Sequence, residues 1–124
     1  MDQTFFEQVG GEPFFVQLVD HFYDAVEEDE TLRPMYPPDL TEAKRHLVLF
    51  LAQYWGGPRT YESERGHPRL RQRHAPFRVT KRARDAWLSA MTKALDESRA
   101  LLTDEGYNEL LDYFTMAAHQ LRNV

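Results

Sequence analysis

The side chains best placed to do chemistry are histidines and a small set of aromatic residues with polar tips. Of the five histidines, His74 has the most distinctive setting, Arg73-His74-Ala75-Pro76-Phe77. Pro76 disfavours helical geometry at Ala75, which puts His74 at or near the end of a short helical turn. Leu70 lies four residues earlier and Phe77 three later, giving the imidazole apolar neighbours. From spacing alone, a histidine that caps a helix is the plain reading. His46 sits at the edge of an apolar stripe, consistent with a cleft rim or with ordinary surface. His67 precedes Pro68 in a loop. His21 and His119 share helix faces with polar residues and read as solvated.

Tyr23, Tyr36 and Trp87 form a second set. Each joins an apolar body to a donor, and a buried donor needs a partner. A core aromatic with a satisfied hydroxyl or indole N–H would have the same pattern. Other chemistries lack their motifs. Glu64-Arg65-Gly66-His67 has Glu-x-x-His spacing, but it occurs once and is broken by glycine, whereas a paired metal site needs two copies on facing helices. There is no His-Glu-x-x-His, no phosphate-binding glycine loop and no nucleophile elbow around Ser63, Ser89 or Ser98. With no cysteine, disulfides, thiolate ligands and thiol nucleophiles are excluded.

Helices must position these groups. Thr4-Phe5-Phe6-Glu7 has the spacing of a capping box. Pro13 suits a first helical turn, and Phe15, Leu18, Val19, Phe22 and Val26 then make a helical stripe. Thr41 is the expected cap of a helix carrying Ala43, Leu47, Phe50, Leu51 and Tyr54. Residues 56–79 hold Gly56, Gly57, Pro58, Gly66, Pro68 and Pro76, a breaker-rich stretch expected to be weakly structured and functional. Thr80 opens a helix with Ala83, Trp87, Met91 and Leu95 on one side. Thr103 opens the last, with Leu110, Leu111, Phe114, Ala118 and Leu121. No strand alternation, repeat or low-complexity tract is present. The expected class is all-α, a single domain over 1–124.

At 124 residues with 42% hydrophobic and 13% aromatic residues, the chain can bury a core. It has no run of ~18 apolar residues and no apolar N-terminal leader, so neither a membrane span nor a signal peptide is expected, and the location expected is cytoplasmic. The net charge of −5 conceals a basic segment. Nine Arg and Lys residues from Arg59 to Arg84 face only Glu62 and Glu64, leaving that segment at +7. An acidic body with one basic stretch suits a local anion site rather than nucleic acid.

Several of these pieces together resemble a known family. Gln53-Tyr54-Trp55-Gly56-Gly57-Pro58-Arg59-Thr60-Tyr61, Gly66-His67-Pro68-Arg69-Leu70-Arg71 and His74-Ala75-Pro76-Phe77 are similar to segments of group II truncated haemoglobins of the actinobacterial haemoglobin O type. Phe22-Tyr23, Leu32 to Pro37, Asp85-Ala86-Trp87-Leu88 and Leu110-Leu111-Asp112-Tyr113 follow in matching order. The resemblance spans nearly the whole chain. It implies a two-over-two helical sandwich around haem b, with His74 as proximal iron ligand, in keeping with histidine ligation in globins. It implies that Tyr23, Tyr36 and Trp87 are distal donors to a ligand, and that Ala43 stands at the gate position. The cofactor-contacting set it implies is Ala43, Leu47, Phe50, Tyr61, His67, Leu70, Arg73, His74, Phe77, Trp87 and Met91. Arg73 would pair with a haem propionate, a charge-assisted contact; Tyr61 and His67 are weaker candidates for that edge. Two departures stand out. Close relatives often carry arginine at the position of His46, and Val79-Thr80-Lys81 replaces a glycine pair found in some truncated globins.

The function so implied is tight binding of O2 and other diatomic ligands (CO, NO), or of peroxide, suited to oxidative or nitrosative detoxification more than to delivery. Peroxidase or nitric oxide dioxygenase turnover, with an electron donor or reductase, is the enzymatic alternative. A haem-free helical interaction module is the remote one. The resemblance allows a homodimer.

Overall fold

The structure is a computed structural model that describes residues 3–74 and 77–124; the side chains of Leu70 and Arg71 also lie outside the described set. Helix α1 (Phe5–Gln8) opens with the expected capping box. Glu7 N donates to Thr4 Oγ1 at 3.1 Å, and Thr4 Oγ1 donates to the Glu7 carboxylate at 3.1 Å. Gly10 and Gly11 end it, and Pro13 falls in the first turn of α2 (Glu12–Glu28). A 3₁₀ turn (Arg33–Met35) precedes Tyr36. Its arginine spans the proline-rich turn, donating to the Pro37 and Pro38 carbonyls at 3.1 Å each.

Helix α3 (Thr41–Tyr54) corrects one expectation. Thr41 is its first residue rather than its cap, and Asp39 Oδ1 accepts from Thr41 N at 2.9 Å. A carboxylate just outside the helix satisfies the orphan amide and complements the positive helix end, so it displaces the weaker hydroxyl. The described part of 56–79 also holds more regular structure than expected. It contains α4 (Thr60–Arg65) and α5 (Leu70–His74), two pieces too short to show apolar periodicity. Helices α6 (Lys81–Glu97) and α7 (Asp104–Leu121) begin as expected. Thr80 Oγ1 accepts from Ala83 N at 3.1 Å and Thr103 Oγ1 from Gly106 N at 3.0 Å. A second 3₁₀ turn (Arg99–Leu101) joins them. No strand occurs among the described residues.

Helix α2 packs on both α3 and α6, and α6 on α7. Two helix pairs, α2–α3 and α6–α7, are thus stacked through α2 and α6, a two-over-two sandwich. The α2 stripe Phe15, Leu18, Val19, Phe22 and Val26 is wholly buried at its centre. Burying five such side chains contributes about 1.5–3 kcal/mol each before the opposing entropy. The α3 stripe divides instead. Leu51 is buried, Ala43, Leu47 and Phe50 are half-covered, and Tyr54 is exposed. That half-covered face looks onto the cleft described next.

Candidate functional site

The cleft has two chambers with shared walls. The first, about 890 Å³ including its open mouth, is lined by residues that include Tyr23, Tyr36, Leu47, Phe50, Tyr61, Arg73, His74 and Trp87. The second, about 790 Å³ on the same measure, has a largely apolar lining with Leu32, Met35, Pro37, Phe77, Val79 and Ala83, joined by Arg84. Tyr36, His74, Trp87 and Leu121 line both.

Each chemical residue comes from a different element. Tyr23 is on α2, held in the core stripe by Phe22 and Val26 on either side. Tyr36 follows the first 3₁₀ turn, which Asp29 anchors by accepting from Thr31 N and Leu32 N at 2.8 and 2.9 Å. Trp87 lies on α6 and His74 ends α5. The Tyr23 and Tyr36 rings meet edge-on at 5.6 Å, and Trp87 packs edge-on against Phe22 at 5.7 Å and Phe114 at 5.9 Å. Aromatic pairs favour this geometry, which fixes all three rings.

Burial pushes the Tyr36 phenol up to about 12, against the pull of a hydrogen bond from Trp87. Burial, reinforced by Tyr36, also raises Tyr23 well above the usual phenol range. Both phenols are protonated donors at neutral pH, as an ordinary phenol is, and burial widens that margin. The Trp87 N–H engages the Tyr36 oxygen, which leaves the Tyr36 O–H to point elsewhere.

The polar end of the first chamber holds His46, Tyr61, Arg65 and Arg73. His46 and Arg65 face one another, with Arg65 Nη1 at 3.1 Å from His46 Nε2, and the Arg65 guanidinium lies 5.9 Å from the Tyr61 ring centre. Desolvation, then Arg65, lowers the His46 pKa and favours neutral imidazole. Arg73 is committed largely to its own loop. Its Nε donates to the Pro68 carbonyl at 2.7 Å and its Nη2 to the Arg65 carbonyl at 3.0 Å. It ties α5 to the preceding loop as well as lining the cleft.

Not every expected contact residue lies here. Met91 is wholly buried in the core between helices and lines neither chamber, because the α6 stripe turns away from the cleft beyond Trp87. Ala43 packs partly against the core and is likewise outside both linings. His67 is exposed and accepts from Arg69 N at 3.1 Å, a local turn contact that keeps it from the cleft. Leu70's side chain, Ala75 and Pro76 lie outside the described residues. His21 is no bare surface residue; its Nδ1 is 2.8 Å from Glu97.

Sequence reasoning missed Arg65 and Tyr113 in the lining, and Asn123 beside it. Asn123 Oδ1 accepts from Val79 N at 2.9 Å, its Nδ2 donates to Phe77 O at 2.9 Å, and its own N donates to Val79 O at 2.9 Å. These bonds clasp the strip that leaves His74. A polar residue near the chain's end carries no local signal for such a contact 44 positions away.

The family model described as bacterial-like globin matches residues 4–123. The group 2 truncated hemoglobin YjbI of Bacillus subtilis is 51% identical over 86 residues, covering 69% of this chain and 65% of that protein, so the match spans just under two thirds of this relative. Among solved structures, a thermostable haemoglobin from the actinobacterium Thermobifida fusca superposes with a TM-score of 0.95 at 48% identity, covering 98% of each chain. The truncated oxygen-avid haemoglobin of Bacillus subtilis gives 0.91 at 41%, covering 98% of this chain and all of that one. The chain belongs to the bacterial-like globin family, as a group 2 truncated haemoglobin.

The cofactor of that family is haem b, and the cleft fits it. Haem is flat, apolar on its vinyl side and anionic at its propionates. The lining is largely apolar in one chamber, with Arg84 as its arginine, and the other carries Arg65 and Arg73. His74, whose imidazole would ligate the iron of a bound haem, borders both.

Proposed function

We propose that the protein binds haem b through His74 and holds O2 or another diatomic ligand against Tyr23 and Tyr36. When bound, haem b supplies the iron that takes such a ligand. The chain's own residues do the rest. Tyr36 presents a protonated O–H whose oxygen is fixed by the Trp87 N–H, and Tyr23 presents a second donor from α2. Donors preset in a site shielded from water stabilise partial negative charge on oxygen more than the same groups would in water. The carrying observation is that two buried, protonated phenols share one lining with His74. The similar haemoglobin of Bacillus subtilis is oxygen-avid, which supports tight holding. Arg65, His46 and Arg73 serve the propionate edge. We place the protein in the cytoplasm, acting as a single domain; no helix among the described residues is long and apolar enough to cross a membrane.

A second reading is reductive turnover of peroxide. The same donors favour it, because negative charge also develops on oxygen as the O–O bond breaks.

Absorption spectra of the haem-supplied protein test the first reading: ferric, reduced and CO-bound, beside a His74→Ala control. A Soret band that shifts with CO in the parent, and weak or altered haem binding in the control, is the expected result. No Soret band in the parent would remove the haem reading. Steady-state peroxide consumption with a supplied reductant tests the second, and a stable oxygenated protein without turnover would favour binding alone.

A further inference from the structure

The basic segment is larger than haem binding uses. From Arg65 to Arg84 the chain has eight Arg and Lys residues and no Asp or Glu. Arg65 and Arg73 line the first chamber, where the propionates are their partners. Arg84 enters the second and bonds Asp85 at 2.9 Å. Arg78, Lys81 and Arg82 are left over, and all three are exposed. Arg78 and Lys81 have no acidic partner among the described residues. Next to them in the chain is Phe77, which is 50% exposed and also lines the second chamber. Its ring centre is 6.5 Å from that of His74. This surface is held in shape. Asn123 Nδ2 donates to Phe77 O at 2.9 Å, and Arg82 Nε donates to Thr31 Oγ1 at 3.1 Å.

We propose that Phe77, Arg78, Lys81 and Arg82 form the docking surface for an acidic one-electron carrier protein, which supplies the electron that keeps the haem iron ferrous. The proposal rests on the haem reading above. O2 binds ferrous iron, and this chain has no cysteine for an iron–sulfur centre and no dinucleotide-binding glycine loop. The electron therefore comes from another molecule. The step balances without a proton: the carrier's flavin or iron–sulfur centre is oxidised by one electron, ferric iron becomes ferrous, and no covalent bond forms or breaks.

The partner's chemistry follows from the surface. Exposed cations steer an acidic protein and raise its encounter rate. An exposed aromatic side chain beside arginines has the composition of an interface centre. The hydrogen bonds that fix Phe77 and Arg82 lower the ordering cost of docking. Phe77 also gives the contact its use. A carrier seated on it lies one side chain from His74 and the cleft, and electron transfer weakens steeply with distance. The rival occupants fit less well. A second copy would have to offer its acidic groove on α2, where Asp20 already faces Lys44 at 3.7 Å. An anionic membrane needs a second anchoring signal besides a short basic patch.

Reduced plant-type two-iron ferredoxin, an acidic one-electron carrier, is the probe. Stopped-flow reduction of the ferric haem-supplied protein is followed under CO. Oxidised ferredoxin is also titrated into the CO-bound protein while amide chemical shifts are recorded. Reduction is expected to slow as salt rises, with the shifts gathered at residues 77–82. Arg78→Glu combined with Lys81→Glu is expected to slow reduction roughly tenfold at low salt and to remove those shifts. Reduction by dithiothreitol, a small neutral reductant, should keep its rate. Neither side chain lines the cleft, and a carboxylate at Lys81 suits the first turn of α6, so the Soret band and thermal midpoint should be retained. Lys93→Glu, on the same helix, is expected to leave the rate unchanged. An equal loss there would reduce the effect to net charge and overturn the docking surface. Salt-independent reduction, or shifts gathered elsewhere, overturns it too. So does sedimentation in which the double variant abolishes self-association or binding to phosphatidylglycerol vesicles while ferredoxin binding persists. A Soret band that shifts with CO, without ferredoxin-induced shifts, overturns this inference alone; no Soret band overturns the haem reading with it.

Discussion

At the scale of single residues, the proposed ligand site rests on two buried phenols, and in that proposal Trp87 acts in part through Tyr36, whose oxygen its N–H engages. Trp87→Phe keeps most of the ring contacts with Phe22 and Phe114 but removes that donor. A hydrogen bond of about 1 kcal/mol corresponds to roughly a fivefold rise in O2 dissociation rate. Stopped-flow release with an O2 scavenger reads it, and an unchanged rate would remove Trp87 from the donor network. The Tyr36 phenol also sets an alkaline limit. Its folded pKa is raised from 10.0 to about 12, so the folded state holds the proton more tightly than the unfolded chain. That contribution to stability is complete below pH 10 and is lost as pH rises toward 12. Chemical denaturation midpoints should fall over this window in the parent and fall less steeply in Tyr36→Phe.

At the scale of elements, short helices depend on clasps from distant segments. Helix α5 is five residues long and too short to persist by its own hydrogen bonds. Arg73 holds it from the preceding loop, and Asn123 clasps the strip that follows. Asn123→Ala should lower stability by ~1 kcal/mol and speed haem loss, measured by transfer to an apoglobin acceptor. Equal haem loss rates would show that the clasp does not steady the proximal side. The end of α3 depends on a close approach instead. A Cβ on Gly57 would lie 2.7 Å from Phe6 and 2.8 Å from the Ala52 carbonyl oxygen, while Phe6 N donates to Trp55 O at 2.9 Å. A backbone oxygen cannot swing aside, so Gly57→Ala should cost about 2 kcal/mol or more by crowding, read as a lowered thermal midpoint.

At the scale of the whole molecule, the sandwich leaves one side of its core to be completed by a ligand. Leu47, Phe50 and Trp87 are half-covered apolar or aromatic side chains around an open cleft. A haem that binds only the folded chain stabilises it by mass action, about 2.7 kcal/mol at a hundredfold excess over its dissociation constant. Removing haem should therefore lower the thermal midpoint and speed amide exchange first in α5 and the cleft face of α3, while α2 and α6 stay protected. Uniform loss of protection would show that the cleft is an integral part of one cooperative unit.

Much of this was written locally in the chain. Thr4 with Glu7, Thr80 and Thr103 announce helix starts because a cap is a contact within three residues. The α2 stripe announces its buried face because burial on one side forces helical spacing. His74, Tyr23, Tyr36 and Trp87 could be named from residue type together with a motif pattern spread along the chain. What the sequence could not express was any relation between distant side chains. Met91 shares the stripe of Trp87, yet only packing decides that one enters the core and the other the cleft. Arg65 reaching His46, Asn123 reaching Val79 and Tyr113 stacking on Tyr54 join residues separated by 19, 44 and 59 positions. Such contacts exist only once the helices cross, because periodicity records which face of an element is apolar and says nothing of what that face will meet.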